Sequence, residues 1–130
     1  MSVGCDVGID YGERRVGLAI CISGVVVPQQ PLIDTDWEGI ARRLSEIAEG
    51  YGSGRVVIGM PLAASGNRIP LCEEVERLAS FLRDRGFEVR LQRETGTTKE
   101  ARLFRDSPRR DGKTDSLAAA IVLKRYLGMA

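Results

Sequence analysis

Three acidic side chains that lie far apart in the sequence are the residues of this chain best suited to chemistry. Asp10 ends an alternating apolar run, Glu94 follows another such run, and Asp115 falls in the first turn of an expected apolar helix. Each acid alone has an ordinary explanation, since acids cap turns, strands often end in polar residues, and a carboxylate near a helix N-terminus stabilises it by about 0.3–1 kcal/mol. Together they suggest more, because carboxylates that converge in a small site repel one another unless they are protonated or bridged by a cation.

The composition of the chain restricts which cation such a site would hold. The chain has no His, which excludes Ser-His-Asp and Cys-His nucleophiles, His-ligated zinc and the usual general base near neutral pH. Oxygen ligands without imidazole or thiolate favour Mg²⁺ or Mn²⁺, which bind substrate phosphates. One or two such ions held by Asp10, Glu94 and Asp115 would activate water against a phosphodiester. The acids therefore predict a metal-dependent nuclease site.

Basic residues near these acids are candidates for binding a phosphate backbone. Arg14 and Arg15 follow Asp10, and residues 93–113 contain seven basic residues, Lys99 and Lys113 among them, against four acidic ones. Such a segment suits a phosphate backbone, although a solvated helix face would look the same. The net charge of the whole chain is only +1, so we expect any nucleic-acid binding to depend on this local clustering.

Length, composition and cysteine content predict one globular cytoplasmic domain. The chain has 130 residues, of which 43% are apolar, and no apolar run approaches the length needed to span a bilayer. Its first residues lack the pattern of a secretory signal. The three cysteines are Cys5, Cys21 and Cys72; they form no Cys-x-x-Cys pair, so we expect small buried side chains rather than disulfides or a zinc site. We therefore expect a single domain over residues 1–130, with no membrane association.

The hydrophobic periodicity predicts a mixed α/β fold with five strands. Period-two alternation indicates strands at residues 3–9 and 16–22, joined as an antiparallel hairpin by residues 11–14. The other predicted strands cover residues 25–27, 55–60 and 87–91, and a loop is predicted at 61–67. The first predicted helix begins after a cap at Asp34, Thr35 or Asp36 and runs to about residue 49, with Gly50 as the stop. Further helices are predicted at 71–85, 98–104 and 114–127. Helices on the faces of a mixed sheet would follow.

Small residues gather where the acids are expected to meet. Gly8 and Gly17 lie on the same face of the predicted hairpin as Asp10. The residues that follow Asp115 include three consecutive alanines, and the helix they form is apolar almost all round, which indicates burial. We therefore expect this helix to pack closely against the two glycines.

The same segments resemble the YqgF-type family of nucleases. The similar stretches are an Asp-x-Gly opening followed by basic residues and a glycine (8–19), an apolar strand and loop (57–62 with Gly66), Glu94 followed by a Thr-Thr motif (97–101), and a closing helix (113–119 with Leu123 and Tyr126–Leu127). The resemblance covers essentially the whole chain in the right order and spacing. It implies a ribonuclease H-like fold with strand order 3-2-1-4-5, strand 2 antiparallel and helices on both faces.

The resemblance also implies a function and its site. Asp10, Glu94 and Asp115 would bind Mg²⁺ or Mn²⁺, and the substrate would be the 5′ end of pre-16S ribosomal RNA or branched DNA such as a Holliday junction. The sequence does not decide between RNA and DNA, or between monomer and homodimer.

Two alternatives remain open at this point. Where the family has an acid before the Glu and an Arg after it, this chain has Arg93 and Thr95, so a weakly active or inactive scaffold that binds nucleic acid is one alternative. Asp10-x-Gly12 followed by Gly17 is also similar to the first phosphate loop of actin-like ATPases. Those enzymes need two such lobes to enclose ATP, and this chain has the length of one.

Overall fold

The computed structural model describes residues 4–63, 65–94 and 112–129, and for residues 112–115 only the backbone. The strands are β1 (Cys5–Tyr11), β2 (Arg15–Ile22), β3 (Val25–Pro28), β4 (Leu32–Ile33), β5 (Ser53–Pro61) and β6 (Glu88–Glu94); the helices are α1 (Trp37–Tyr51), α2 (Leu71–Asp84) and α3 (Gly112–Tyr126). No helix in these ranges is both long and apolar enough to span a membrane. The expected helix at 98–104 lies outside the described residues.

One sheet carries the whole described fold, in the order β3-β2-β1-β5-β6. β1 pairs antiparallel with β2 and parallel with β5, and β5 pairs parallel with β6. This confirms the predicted strand order and the antiparallel second strand. The described strand count is six rather than five because β4 pairs separately with β2. β4 has two residues and ends next to Asp34, whose φ is +52°, so it is too short to show alternation.

Large aliphatic side chains fill the face of the sheet that α1 and α2 cover. Alternate residues of β1, β2 and β5 are buried there against both helices, and they form the main core; its largest members include Ile9, Leu18, Ile20, Ile40, Ile58, Leu78 and Leu82. α1 begins at the cap Asp36, whose Oδ1 accepts a hydrogen bond from the Gly39 N–H at 2.8 Å. The helix runs through Gly50 and ends before Gly52, whose φ is +95°. The predicted stop at Gly50 was therefore wrong.

Small residues line the opposite face, which α3 covers. A Cβ at Gly8 would lie 2.6 Å from the Ala119 carbonyl oxygen and 2.8 Å from the Leu123 Cβ, so only glycine fits under the helix there. Ala19 is buried against Ala119 and its neighbour Ala120. The predicted close packing of this helix is confirmed at Gly8.

A buried hydroxyl fastens the start of α3 to the sheet. Ser116 is fully buried, and its Oγ donates a hydrogen bond to the Gln29 carbonyl oxygen. The same Oγ accepts a hydrogen bond from the Leu18 N–H at 3.4 Å. Because Ser116 follows Asp115 directly, these bonds fix the backbone that carries the third predicted acid.

Candidate active site

Asp10 lies next to the last residue of β1, at the edge of the sheet where the parallel strands β1, β5 and β6 end. It pairs with Gly17 of β2. Alternation along β1 places it on the same face as Gly8, the face that α3 covers. Ligands of open α/β sheets bind outside the carboxyl ends of the strands, so Asp10 occupies the edge where a site is expected.

Glu94 is the last residue of β6 and reaches the same edge. The sequence predicted it just beyond a strand ending at residue 91, which was wrong, because β6 continues to Glu94 and pairs it with Pro61. Its side chain lies over Gly59, where an added Cβ would be 3.6 Å from the Glu94 Cγ and 3.0 Å from a methyl of Val122. The absence of a side chain at Gly59 therefore gives the carboxylate room, and only 12% of the Glu94 side chain is exposed.

The two carboxylate oxygens of Glu94 have different surroundings. Oε2 accepts a hydrogen bond from Nη1 of Arg125 at 2.5 Å. Oε1 is buried and has no hydrogen-bond partner among the described residues. A buried carboxylate oxygen without a partner costs free energy in a folded protein, so this oxygen is a candidate ligand for a cation.

The pKa of the Glu94 carboxyl is raised above its usual value. Burial raises the pKa of the Glu94 carboxyl, the charge and hydrogen bond of Arg125 oppose this, and the negative charge of Asp10 raises it further, with a net rise. Asp10 and Glu94 lie on the same face of the sheet at its carboxyl edge, with β5 between their strands. The fold therefore places two of the three predicted acids at one edge. The backbone of Asp115 lies in the first turn of α3, and its side chain is outside the description, so its convergence on the pair remains a prediction.

α3 crosses the sheet and meets a new strand at nearly every turn. Ser116 bonds to β2, Ala119 packs on Gly8 of β1, Val122 packs on Gly59 of β5, and Arg125 binds Glu94 of β6. α3 thus carries Asp115 in its first turn and Arg125, the arginine that binds Glu94, in its last turn. Sequence analysis did not single out Arg125, since a basic residue in the last turn of a helix is ordinary and its contact depends on the crossing of α3 over the sheet.

The predicted phosphate-binding residues are described only in part. Arg14 lies in the turn between β1 and β2, exposed, with its Nε 3.4 Å from Asp34 Oδ1. Arg15 is the first residue of β2 and is half-buried. Lys99 and the side chain of Lys113 lie outside the described residues. Among described side chains, no group of three or more His, Cys, Asp or Glu is arranged to hold a metal ion.

This strand order and the helix packed on a face of small residues define a ribonuclease H-like fold. The RuvX family model, described as Holliday junction resolvase, matches residues 4–129. The chain belongs to this family.

Curated relatives and solved structures agree with that placement. A relative from Syntrophus aciditrophicus, named "Putative pre-16S rRNA nuclease", is 37% identical over 92% of this chain and 85% of its own length. A relative of the same name from Thermus thermophilus is 34% identical, over 92% of this chain and 93% of its own. The structure of Thermus thermophilus RuvC in complex with a Holliday junction substrate has a TM-score of 0.54 at 16% identity, covering 98% of both chains. The last comparison supports the fold.

Proposed function

We propose that this chain is a divalent-metal-dependent endonuclease in which Asp10, Glu94 and Asp115 together hold one or two Mg²⁺ or Mn²⁺ ions. The observation that carries the proposal is the buried Oε1 of Glu94, which lacks a hydrogen-bond partner among the described residues and belongs to a carboxylate on the same face and edge of the sheet as Asp10. Carboxylates that share a small site need a positive charge to offset their repulsion. Their oxygen donors suit a hard cation, so the residues present fit the metal.

Each residue around such an ion would have a distinct role. A bound ion of this kind lowers the pKa of its water and neutralises charge on the phosphodiester. Arg125 holds Oε2 of Glu94 and thereby fixes the orientation of the carboxylate, leaving Oε1 available as a ligand. Asp10 supplies the second carboxylate and Asp115 the third.

Basic residues beside the acids would position the nucleic acid. Arg14, Arg15, Lys99 and Lys113 contact phosphates in this proposal, which predicts that affinity falls steeply with salt concentration. The exposed ion pair between Arg14 and Asp34 is no obstacle, because such pairs contribute only about 0–1 kcal/mol.

The proposed substrate follows the names of the relatives. We propose that the chain acts in the cytoplasm as one domain over residues 1–130, on the 5′ end of pre-16S ribosomal RNA, on branched DNA, or on both. Cutting both strands of a junction requires paired sites and hence a homodimer, whereas trimming of RNA does not.

Cleavage of matched substrates tests this proposal. A pre-16S rRNA fragment and a four-way DNA junction are incubated with Mg²⁺, Mn²⁺ or a chelator, using the unmodified chain, Asp10→Asn and Glu88→Gln. Glu88 lies at the other end of β6 from Glu94 and forms an exposed ion pair with Arg90, so Glu88→Gln is the control. We expect metal-dependent cleavage that is lost only in Asp10→Asn. Binding with no cleavage under any condition would instead favour the inactive scaffold.

A further inference from the structure

A cavity of about 410 Å³ lies beside Asp10, at the turn between β1 and β2. Its volume falls within the range of about 300–1,000 Å³ that is usual for sites of small ligands. The described residues around it combine two kinds of side chain. The charged ones are Asp10, Glu13, Arg14 and Arg15, and the apolar and aromatic ones are Tyr11, Ile33 and Leu71. None of the latter three has a role in the proposed cleavage.

The apolar part of this cavity includes Ile33, an exposed side chain that is not part of the main core. Ile33 is 55% exposed. It pairs directly with Arg15 across the β2–β4 ladder, so the two side chains leave the same face as neighbours. An apolar surface next to a guanidinium matches the two halves of a nucleotide, which presents a flat base and a phosphate.

The aromatic side of the cavity is held in place. The hydroxyl of Tyr11 accepts a hydrogen bond from Nε1 of Trp37 at 3.1 Å, and both side chains pack against the main core. Tyr11 follows Asp10 directly on β1 but lies on the opposite face by alternation. Arg15 and Ile33 lie on the face of Asp10, so both faces contribute to the cavity at the end of the hairpin. Glu94 is not among the described residues around it, so a ligand there would lie next to Asp10 and apart from Glu94.

We propose that this cavity seats the base of one unpaired nucleotide adjacent to the phosphate that is cleaved beside Asp10; the inference rests on the nuclease function proposed above. In a duplex the faces of the bases are stacked and only their edges are accessible. A base that contacts Ile33 and Tyr11 must leave the stack. The substrate is then a strand with an unpaired nucleotide beside the cut, as at a single-stranded flank, loop or branch point, rather than a continuous duplex.

Trp37 is the sole tryptophan of the chain and reports on this cavity through Tyr11. The experiment measures its fluorescence in metal-free Asp10→Asn, titrated with a single-stranded adenine tetranucleotide, as RNA and as DNA. The same backbone with abasic sites and a fully paired hairpin stem serve as comparison probes. Stacking predicts that the adenine probe binds roughly tenfold more tightly than the abasic one and changes the fluorescence of Trp37, whereas the hairpin stem binds without that change.

Two substitutions locate the base. Ile33→Ser, added to Asp10→Asn, is expected to abolish the preference for the adenine probe. Ile22→Ser is the matched control, because Ile22 is an exposed isoleucine that is not among the residues around the cavity, and it is expected to keep the preference. Circular dichroism checks that both variants are folded.

The outcomes separate this inference from the nuclease proposal. Equal affinity for adenine and abasic probes, or a full preference retained in Ile33→Ser, would overturn the cavity assignment even if the unmodified chain cleaves nucleic acid. A base preference that depends on Ile33, in a chain that cleaves no substrate with any divalent ion, would support the cavity and overturn the nuclease proposal alone.

Discussion

Two carboxylates on the same face of one sheet, each paired with an arginine, behave in opposite ways. Asp6, near the start of β1, binds Arg55, and Glu94, at the end of β6, binds Arg125. Both are largely buried, with 16% and 12% of their side chains exposed, and both arginines are 40% exposed. The two ion pairs are therefore similarly exposed to solvent.

The difference lies in how completely each carboxylate is bonded. Oδ1 of Asp6 accepts hydrogen bonds from the backbone N–H of Arg55 at 2.8 Å and from its Nε at 3.3 Å, and Oδ2 accepts one from Nη2 at 2.8 Å. Burial alone would raise the pKa of Asp6, but these bonds and the charge of Arg55 outweigh it, so the pKa is lowered. Arg55 is held in turn by the hydroxyl of Tyr126 at 3.3 Å.

The carboxylate of Glu94 is less completely hydrogen-bonded than that of Asp6. Burial raises the pKa of the Glu94 carboxyl, Arg125 opposes this through a single oxygen while the other has no partner among the described residues, and Asp10 adds a like charge, so the net pKa is raised. A fully bonded buried acid at the amino edge of the strands stabilises the fold. An incompletely bonded one at the carboxyl edge is what a ligand-binding site requires.

The largest expected effect is on cleavage, at the carboxyl edge. Glu94→Gln is predicted to lower the cleavage rate by about 100-fold or more, because removing even an outer partner of a metal ligand costs 10–100-fold. Its free energy of unfolding should stay the same or rise, since a buried charge near Asp10 is removed. Initial rates with Mn²⁺ and chemical denaturation measure the two effects, with Glu88→Gln as the control. A rate like that of the control would exclude Glu94 from the site.

Replacing each of the two arginines separately tests the comparison between the two edges. Arg125→Gln is expected to lower cleavage by roughly tenfold, because Oε2 of Glu94 loses the charged partner that orients it. Arg55→Gln should leave cleavage unchanged in the folded fraction, since its partners are Asp6 and Tyr126. Single-turnover rates of the two variants measure this. A larger loss of rate in Arg55→Gln would show that the two edges are coupled.

A substitution at the amino edge should change the free energy of unfolding rather than the cleavage rate. Asp6→Asn is predicted to lower the free energy of unfolding by about 1–3 kcal/mol, toward the smaller value because Arg55 is 40% exposed. Cleavage by the folded fraction should be retained. Urea unfolding of Asp6→Asn beside the unmodified chain tests it, and an unchanged midpoint would mean that the bonds to Arg55 contribute nothing net.

The smallest effects concern the pH dependence of stability. Because the pKa of Asp6 is lowered on folding, its stabilising contribution is complete above the unfolded pKa of about 4 and is lost as pH falls through the lower folded value. Glu94 has the opposite sign: its raised pKa makes its charged form cost stability at neutral pH, and acid relieves that cost. Unfolding free energies between pH 7 and about pH 3 should therefore converge between Asp6→Asn and the unmodified chain as pH falls. A constant difference would contradict the assigned pKa shift of Asp6.

The sequence predicted this fold well where periodicity is long and failed where pairing is short or distant. Alternation along β1 and β2 was sufficient for the antiparallel hairpin, and the run of alanines in α3 for the close approach at Gly8. The full strand order was implied by the family resemblance. The two-residue β4 and the extension of α1 through Gly50 depend on tertiary pairing and on the conformation of Gly52. The local sequence pattern therefore predicts neither β4 nor the extension of α1.

The candidate site was predicted by residue type more than by geometry. Asp10 and Glu94 were chosen as acids at strand ends, and the structure places them on the same face of the carboxyl edge. Arg125 was missed because its contact with Glu94 joins residues 31 positions apart through the path of α3. The place of Asp115 in the trio remains a prediction.

Direct binding of Mn²⁺ in the absence of nucleic acid tests the central claim that these acids share a cation. Free Mn²⁺ is followed by electron paramagnetic resonance as it is titrated against the unmodified chain, Asp10→Asn, Glu94→Gln, Asp115→Asn and Glu88→Gln. We expect saturable binding in the unmodified chain and in Glu88→Gln, and binding weakened by about 100-fold in the other three. Equal binding in all five, or none in the unmodified chain, would contradict the account.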